Sequence, residues 1–145
     1  MSNNRFVIKM MSLFHRVMYR LSRGRIGGRI GKAPLLLLTT TGRKTGKQRT
    51  TPLIYVRRGD HFAVVASNAG DDKSPAWWMN LTANPAGTIQ VRGARHQVTA
   101  RQAEPAERTA LFPEFVAIYR AYADYERRTA RAIPVVILAV AKPTE

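Results

Sequence analysis

Leu35-Leu36-Leu37-Leu38-Thr39-Thr40-Thr41-Gly42-Arg43-Lys44-Thr45-Gly46-Lys47-Gln48-Arg49-Thr50-Thr51-Pro52-Leu53 is the stretch on which the fold turns. Its apolar and β-branched first half, Leu35 to Thr41, predicts a strand; Gly42 to Lys47 predicts a tight basic connection, and Thr50 to Arg57 the returning strand. Outward from it, Gly59-Asp60 marks a turn and His61 to Ser67 a third strand. Asn68 to Ser74 is loop-like, and Pro75 opens a short helix carrying Trp77, Trp78, Asn80 and Leu81 that Pro85 ends. Thr88 to Val91 and Arg95 to Arg101 form a hairpin around Gly93, and Ile133 to Val140 supplies a last strand. Between them Pro105 to Arg128 reads as helical, with Pro113 dividing it into a short and a longer helix, because proline removes a backbone donor and crowds the preceding turn.

This order of elements predicts an α+β fold, a split β-barrel of about six mainly antiparallel strands with flanking helices; an open antiparallel sheet covered by helices is the alternative. The 145 residues suit one barrel domain, residues 32–145, preceded by a segment, residues 1–31, that reads as an amphipathic helix and a glycine-rich joint. Val7, Met10, Met11, Phe14, Val17, Met18 and Leu21 recur at three- and four-residue steps, with Lys9, Arg16, Arg20 and Arg23 around them. Such a face packs on the barrel, pairs with another subunit or lies on an anionic membrane. Gly24, Gly27, Gly28 and Gly31 then break the helical pattern.

Charge is distributed unevenly. The net charge is +15, and residues 1–59 hold fourteen Arg or Lys with no acid before Asp60. A field of this kind attracts phosphates, anionic lipid or nucleic acid without choosing among them. Without cysteine the chain has no disulfide, thiolate nucleophile or thiolate-held metal. His15, His61 and His96 fall in different elements without metal-ligand spacing, so no metal site is expected. Lacking an apolar run long enough to span a bilayer or serve as a secretory signal, the chain reads as cytoplasmic, with the first helix allowing peripheral contact at the inner face of the cell membrane.

Gly42 to Arg49 is the densest chemical feature. Glycines permit close approach, backbone amides can cup an anion, and Arg43 and Arg49 can direct paired donors at oxygens while Lys44 and Lys47 add mobile charge. The loop departs from the phosphate-binding loop of nucleotide hydrolases, being one residue short with Gln48 at the magnesium-binding position, and no Gly-x-Gly-x-x-Gly signature accompanies it. A plain soluble hairpin tip is the competing reading. The second feature is Ala66-Ser67-Asn68-Ala69-Gly70 followed by Pro75-Ala76-Trp77-Trp78-Met79-Asn80-Leu81, where small residues let a planar ligand near the backbone and a tryptophan can wall its ring. Core packing explains the same tryptophans, and Asn80 could equally bond across the fold. Tyr119, Tyr122 and Tyr125 follow at three-residue steps, which places them near one another on a helical face.

Together with Tyr119 to Thr129 and Ile133-Pro134-Val135-Val136, these runs resemble the signatures of the deazaflavin-dependent nitroreductase family, whose members include F420H2-dependent quinone reductases, over most of the chain. The resemblance implies a split barrel of the flavin-reductase and pyridoxamine-phosphate-oxidase type. It also implies coenzyme F420, an 8-hydroxy-5-deazaflavin with a phosphate and an oligoglutamate tail, whose reduced form passes hydride equivalents to a quinone, nitroaromatic or other electron-poor acceptor. On the same resemblance Arg43, Lys44, Lys47 and Arg49 hold the tail and phosphate, Ser67, Gly70, Trp77 and Asn80 lie near the ring, and Thr45, Gly46, Thr50, Pro52 and Ala66 are further cofactor-binding residues. Tyr119, Tyr122, Tyr125 and Ser67 are the candidate catalytic residues, as acceptor-site walls or hydrogen-bond donors. A lipid-soluble quinone would suit a membrane-touching first helix. An FMN-binding reductase of the same fold and a basic nucleic-acid-binding module are the alternatives, nucleic acid not being the expected partner. The residues specify no oligomeric state.

Overall fold

The computed structural model describes residues 29–30 and 33–141. The proposed amphipathic helix and most of the glycine-rich joint lie outside the described residues. The strands are β1 (Arg29–Ile30), β2 (Ala33–Thr41), β3 (Gln48–Ile54), β4 (Val56–Arg58), β5 (His61–Val65), β6 (Ala86–Val91), β7 (Ala94–Gln102) and β8 (Val135–Val140). Among the described residues three α-helices join them: α1 (Ala76–Ala83), α2 (Pro105–Ile118) and α3 (Ala121–Arg128), with a 3-10 turn at Asn68–Gly70. All pairings are antiparallel, in the order β1-β2-β6-β7-β8-β5-β4, with β3 on the other side of β2. The sheet curls into a split barrel. Eight strands replace the expected six or so, because a two-residue β1 is added and the strand expected over Thr50 to Arg57 breaks at Tyr55 into β3 and β4.

The leucine run is explained by burial on both faces of the sheet. Leu36 and Leu38 point with Phe62, Val64, Val136 and Leu138 into a core that α1 completes through Trp77 and Leu81. Leu35 and Leu37 point the other way, with Ala63, Val65, Val135 and Ile137, against Leu111, Phe112 and Phe115 of α2 and Tyr122 of α3. A strand buried on both sides loses the polar alternation of a half-exposed one, and the continuous apolar spelling of β2 and β8 follows.

The helix boundary differs from the sequence expectation. Pro113 sits inside an unbroken α2, and the chain breaks instead after it, at Tyr119, whose extended backbone (φ −144°, ψ 101°) ends the helix. Proline inside a helix costs roughly 3 kcal/mol. Burying Leu111, Phe112 and Phe115 on the sheet contributes about 1.5–3 kcal/mol for each side chain, which outweighs that cost.

Candidate active site

A cleft of about 350 Å³ opens between two walls of different construction. One is β3, contributing Thr51, Pro52, Leu53 and Ile54, with Leu35 of β2 behind it. The other is the segment after β5, contributing Ser67, Asn68 and Ala69. Trp77, Pro75, Val65 and Tyr122 complete the lining. The walls are mainly apolar, with few hydroxyl and amide groups at their edges, as in pockets that hold a flat ring and fix its orientation through sparse polar contacts. The volume lies at the small end of the usual range for such ligands, roughly 300–1,000 Å³.

The first wall is a ladder. Seven residue pairs, from Leu35 opposite Ile54 to Thr41 opposite Gln48, hold β3 on β2, and the Thr39 and Thr50 hydroxyls meet at 2.8 Å. Beyond the ladder the chain turns through Gly42 to Lys47. The Gly42 amide donates to the Lys47 carbonyl at 2.8 Å, the Lys47 amide to Thr45 Oγ1 at 3.2 Å, and Gly46 takes φ +71°, a left-handed value suited to glycine. One buried side chain ties this tip to α1: Asn80 Oδ1 accepts both the Arg43 amide and Arg43 Nη1 at 3.1 Å, while Asn80 Nδ2 donates to Thr40 Oγ1 at 3.1 Å. Asn80 is 4% exposed. It thus fixes the direction of Arg43 and does not line the cleft.

Arg43, Lys44, Lys47 and Arg49 are exposed and form no ion pair with a carboxylate among the described residues. Elsewhere arginines have acidic partners: Arg58 with Glu114, Arg101 with Glu107, Arg108 with Glu126 and Arg127 with Asp124. The hairpin tip is therefore a concentration of uncompensated positive charge, suited to an anionic ligand. Thr51 lies two residues along the strand from Arg49, about 7 Å. An apolar slot with unpaired cations one step along its wall fits a planar ring carrying an anionic tail.

The second wall is irregular. Asn68 (φ 46°) and Ala69 (φ 54°) both occupy the left-handed region, which costs about 1–2 kcal/mol for each non-glycine residue. Gly70 follows at φ +80°, and a Cβ there would stand 2.9 Å from Tyr125 Cα and 3.1 Å from its carbonyl oxygen. Gly70 thus serves the close approach of α3 to this turn and is buried beneath it. Ser67 is 9% exposed, and its carbonyl accepts the Gly70 amide at 2.9 Å. Arg131, a residue for which sequence reasoning had no motif, reaches three carbonyls of the wall. Its Nη1 and Nη2 donate to Ala66 O at 3.2 Å, Nη2 to Ser67 O at 2.9 Å and Nε to Asp71 O at 2.9 Å.

The three tyrosines do meet, by a route other than a shared helical face. Tyr119 ends α2 while Tyr122 and Tyr125 lie on α3, and the break between the helices folds the rings together, with centroids 5.3, 6.0 and 6.3 Å apart. Tyr122 alone lines the cleft. Burial raises the Tyr122 phenol above the usual tyrosine range, so it stays a hydrogen-bond donor even in alkaline solution. The Tyr119 and Tyr125 hydroxyls lie 3.3 Å apart, and this bond, with partial burial, raises Tyr125 as well. Tyr119 is 41% exposed.

Of the expected site residues, the cleft gathers Pro52, Ser67, Trp77 and Tyr122. Arg43, Lys44, Thr45, Gly46, Lys47, Arg49 and Thr50 form the hairpin and its first strand residues above it. Ala66 and Gly70 support the second wall, and Tyr119 and Tyr125 stand behind Tyr122. Thr51 and Asn68, which belong to the two sequence features, also line the cleft, as do Leu35 and Leu53, which had been read only as strand residues.

Residues 12–140 match the family described as F420H(2)-dependent quinone reductase. The chain belongs to this family. An F420H(2)-dependent quinone reductase of Mycobacterium tuberculosis is 44% identical over 133 residues, covering 86% of each chain. The solved structure of an F420-H2 dependent reductase, FDR-A, shares 42% identity at a TM-score of 0.66, over 72% of this chain and 93% of that one. A Listeria innocua protein assigned as a pyridoxamine 5'-phosphate oxidase matches at 8% identity and a TM-score of 0.55, over 90% of this chain and 94% of that one, and supports the fold alone. The protein is accordingly an oxidoreductase of the F420H2-dependent quinone reductase family. Membership favours the reductase over the nucleic-acid-binding alternative and the deazaflavin over FMN.

Proposed function

We propose that the cleft between β3 and the Ser67–Ala69 turn is where the deazaflavin ring meets a quinone, and that the basic hairpin holds the anionic tail. When bound, reduced F420 supplies the hydride. The observation that carries the reading is the adjacency of an apolar slot and a carboxylate-free cluster of Arg43, Lys44, Lys47 and Arg49. In this reading Trp77 and Pro52 flank the ring, and Ser67 and Asn68 lie along its polar edge. Tyr122, protonated at neutral pH, donates a hydrogen bond where negative charge develops on the acceptor oxygen. Tyr119 and Tyr125 pack edge-on against its ring and hold it in place. The protein's contribution is position and charge stabilisation, with no covalent step at a side chain.

The acceptor best matched to the sequence is a lipid-soluble quinone. The basic amphipathic pattern of residues 1–23 suits peripheral contact with an anionic membrane at the inner face of the cell, ahead of the domain at residues 32–145. Among the described residues no helix is long and apolar enough to cross a membrane.

Fluorescence titration of F420 into wild type and into an Arg43→Ala, Arg49→Ala double variant tests the tail assignment. The expected result is a folded double variant with affinity lower by roughly tenfold or more and a weakened salt dependence, since charged hydrogen bonds to an anion contribute about 1.5–3 kcal/mol each. Equal affinity in the folded double variant contradicts the clamp.

A further inference from the structure

Residues 129–134 are stitched across the wall that carries Ser67. The Thr129 hydroxyl donates to Asp72 Oδ1 at 2.8 Å, the Ala66 amide donates to the Pro134 carbonyl at 3.0 Å, and between these ends lies Arg131. Its guanidinium makes four N–H···O contacts on the carbonyls of Ala66, Ser67 and Asp71, and no ion pair with a carboxylate among the described residues. The rigid fork of arginine is the side chain that can bridge several acceptors at once; a lysine ammonium offers three donors from a single point. The wall it holds has two consecutive non-glycine residues in the left-handed region, a conformation that persists only where the surroundings impose it. On the far side of that wall, Gly70 receives the backbone of Tyr125, one helical turn from Tyr122. Thus one group fixes the segment that presents Ser67, Asn68 and Ala69 to the cleft and that seats the tyrosine-bearing helix.

We propose that Arg131 is a positioning residue for hydride transfer, its guanidinium setting the position of the Ser67–Ala69 wall, and of the Tyr122 helix seated on it, relative to the rest of the cleft. The inference rests on the reading of the cleft given above. Arg131 touches no reacting atom; it acts through the three carbonyls. Loss of the fork lets the turn relax from its left-handed backbone, and a shift of the wall by a fraction of an ångström alters approach geometry more than ground-state binding.

The test uses the full chain as wild type, Arg131→Ala and Arg131→Lys, with steady-state oxidation of reduced F420 by menadione, F420 affinity in the absence of acceptor, and amide exchange at Gly70 and Asp71. In both variants kcat is expected to fall by on the order of tenfold or more, with KM and F420 affinity changing by less than about threefold. Amide exchange at Gly70 and Asp71 should accelerate. Guanidinium ion at sub-denaturing concentration should restore part of kcat and slow that exchange in Arg131→Ala, while leaving wild type unaffected. Should the alanine variant fail to fold, the lysine variant carries the test through its kcat and exchange rates. A folded variant of either kind that keeps kcat within about twofold of wild type overturns the proposal, as does a loss of kcat with wild-type amide exchange and no guanidinium response. Thr51→Trp, which fills the cleft from the opposite wall, separates the two ideas. If it leaves turnover intact the cleft reading itself fails, whereas a dead Thr51→Trp beside active Arg131 variants sinks the positioning role alone.

Discussion

The two walls of the cleft are built by different physics. β3 is held mainly by a backbone ladder spread over seven residue pairs, whereas the Ser67–Ala69 turn is held by single groups: the Arg131 fork, the missing side chain of Gly70 and the Thr129 hydroxyl. Substitutions on the ladder wall should therefore change what the cleft binds, and substitutions on the turn wall should change whether the cleft keeps its shape. Asn80 brings the other device to the ladder wall, because the hairpin tip lies beyond the last strand pair.

The largest expected effect sets one glycine against another. Gly70→Ala places a Cβ against Tyr125 in a left-handed backbone and should destabilise the fold by about 3 kcal/mol, read as a lowered urea midpoint. Gly46 has the same backbone region and nothing within 4 Å of a Cβ, so Gly46→Ala should cost only about 1 kcal/mol. Equal costs at the two sites would erase the distinction between a turn that packs and a turn that does not.

Asn80→Ala comes next, at about 2 kcal/mol by denaturant unfolding, since it removes the partner of Arg43 and leaves the buried Thr40 hydroxyl without its donor. The same variant should weaken F420 binding less than the Arg43, Arg49 double variant, because the cations remain. Stronger weakening than in the double variant would mean that Asn80 touches the ligand directly.

The smallest effect is electrostatic and lies away from both walls. Arg101 bonds both oxygens of Glu107 at 2.7 and 2.8 Å, and this pairing, with the Glu104 amide, lowers the Glu107 carboxyl from 4.5 to about 2. A depressed folded-state value stabilises the fold above the unfolded value, near pH 4.5, and the contribution is lost as pH falls toward 2. Glu107→Gln should flatten that part of the urea-midpoint profile between pH 4.5 and 2 and leave F420 turnover unchanged at neutral pH. An unaltered acid limb would remove the pairing from the account.

The contrast also explains what could be read from the sequence. The ladder wall was legible because apolar runs, β-branched residues and a Gly-rich basic turn obey periodic rules, so β2, the hairpin and β5 to β8 emerged with ends displaced by a few residues. The turn wall showed as a loop of small residues around Ser67 and Gly70, but what holds it did not show. Arg131 spells like any surface arginine, its partners are backbone carbonyls more than sixty residues away in some cases, and no pattern in the chain marks a carbonyl that lacks a donor. Pro113 misled for a related reason, since its local cost is visible in the sequence while the burial of Leu111, Phe112 and Phe115 that offsets it is tertiary. The tyrosines were rightly grouped, yet their meeting depends on the break at Tyr119 and not on three-residue spacing within one helix.

The central claim is that F420 and the quinone meet in the cleft between these walls, and blocking the cleft from the ladder side tests it most directly. F420 absorbance would be followed as the reduced cofactor is oxidised by menadione, with wild type and with Thr51→Trp at matched thermal stability. The account expects turnover by wild type and its loss, together with loss of F420 affinity, in the blocked variant. Wild-type affinity and turnover in a folded Thr51→Trp protein would contradict it.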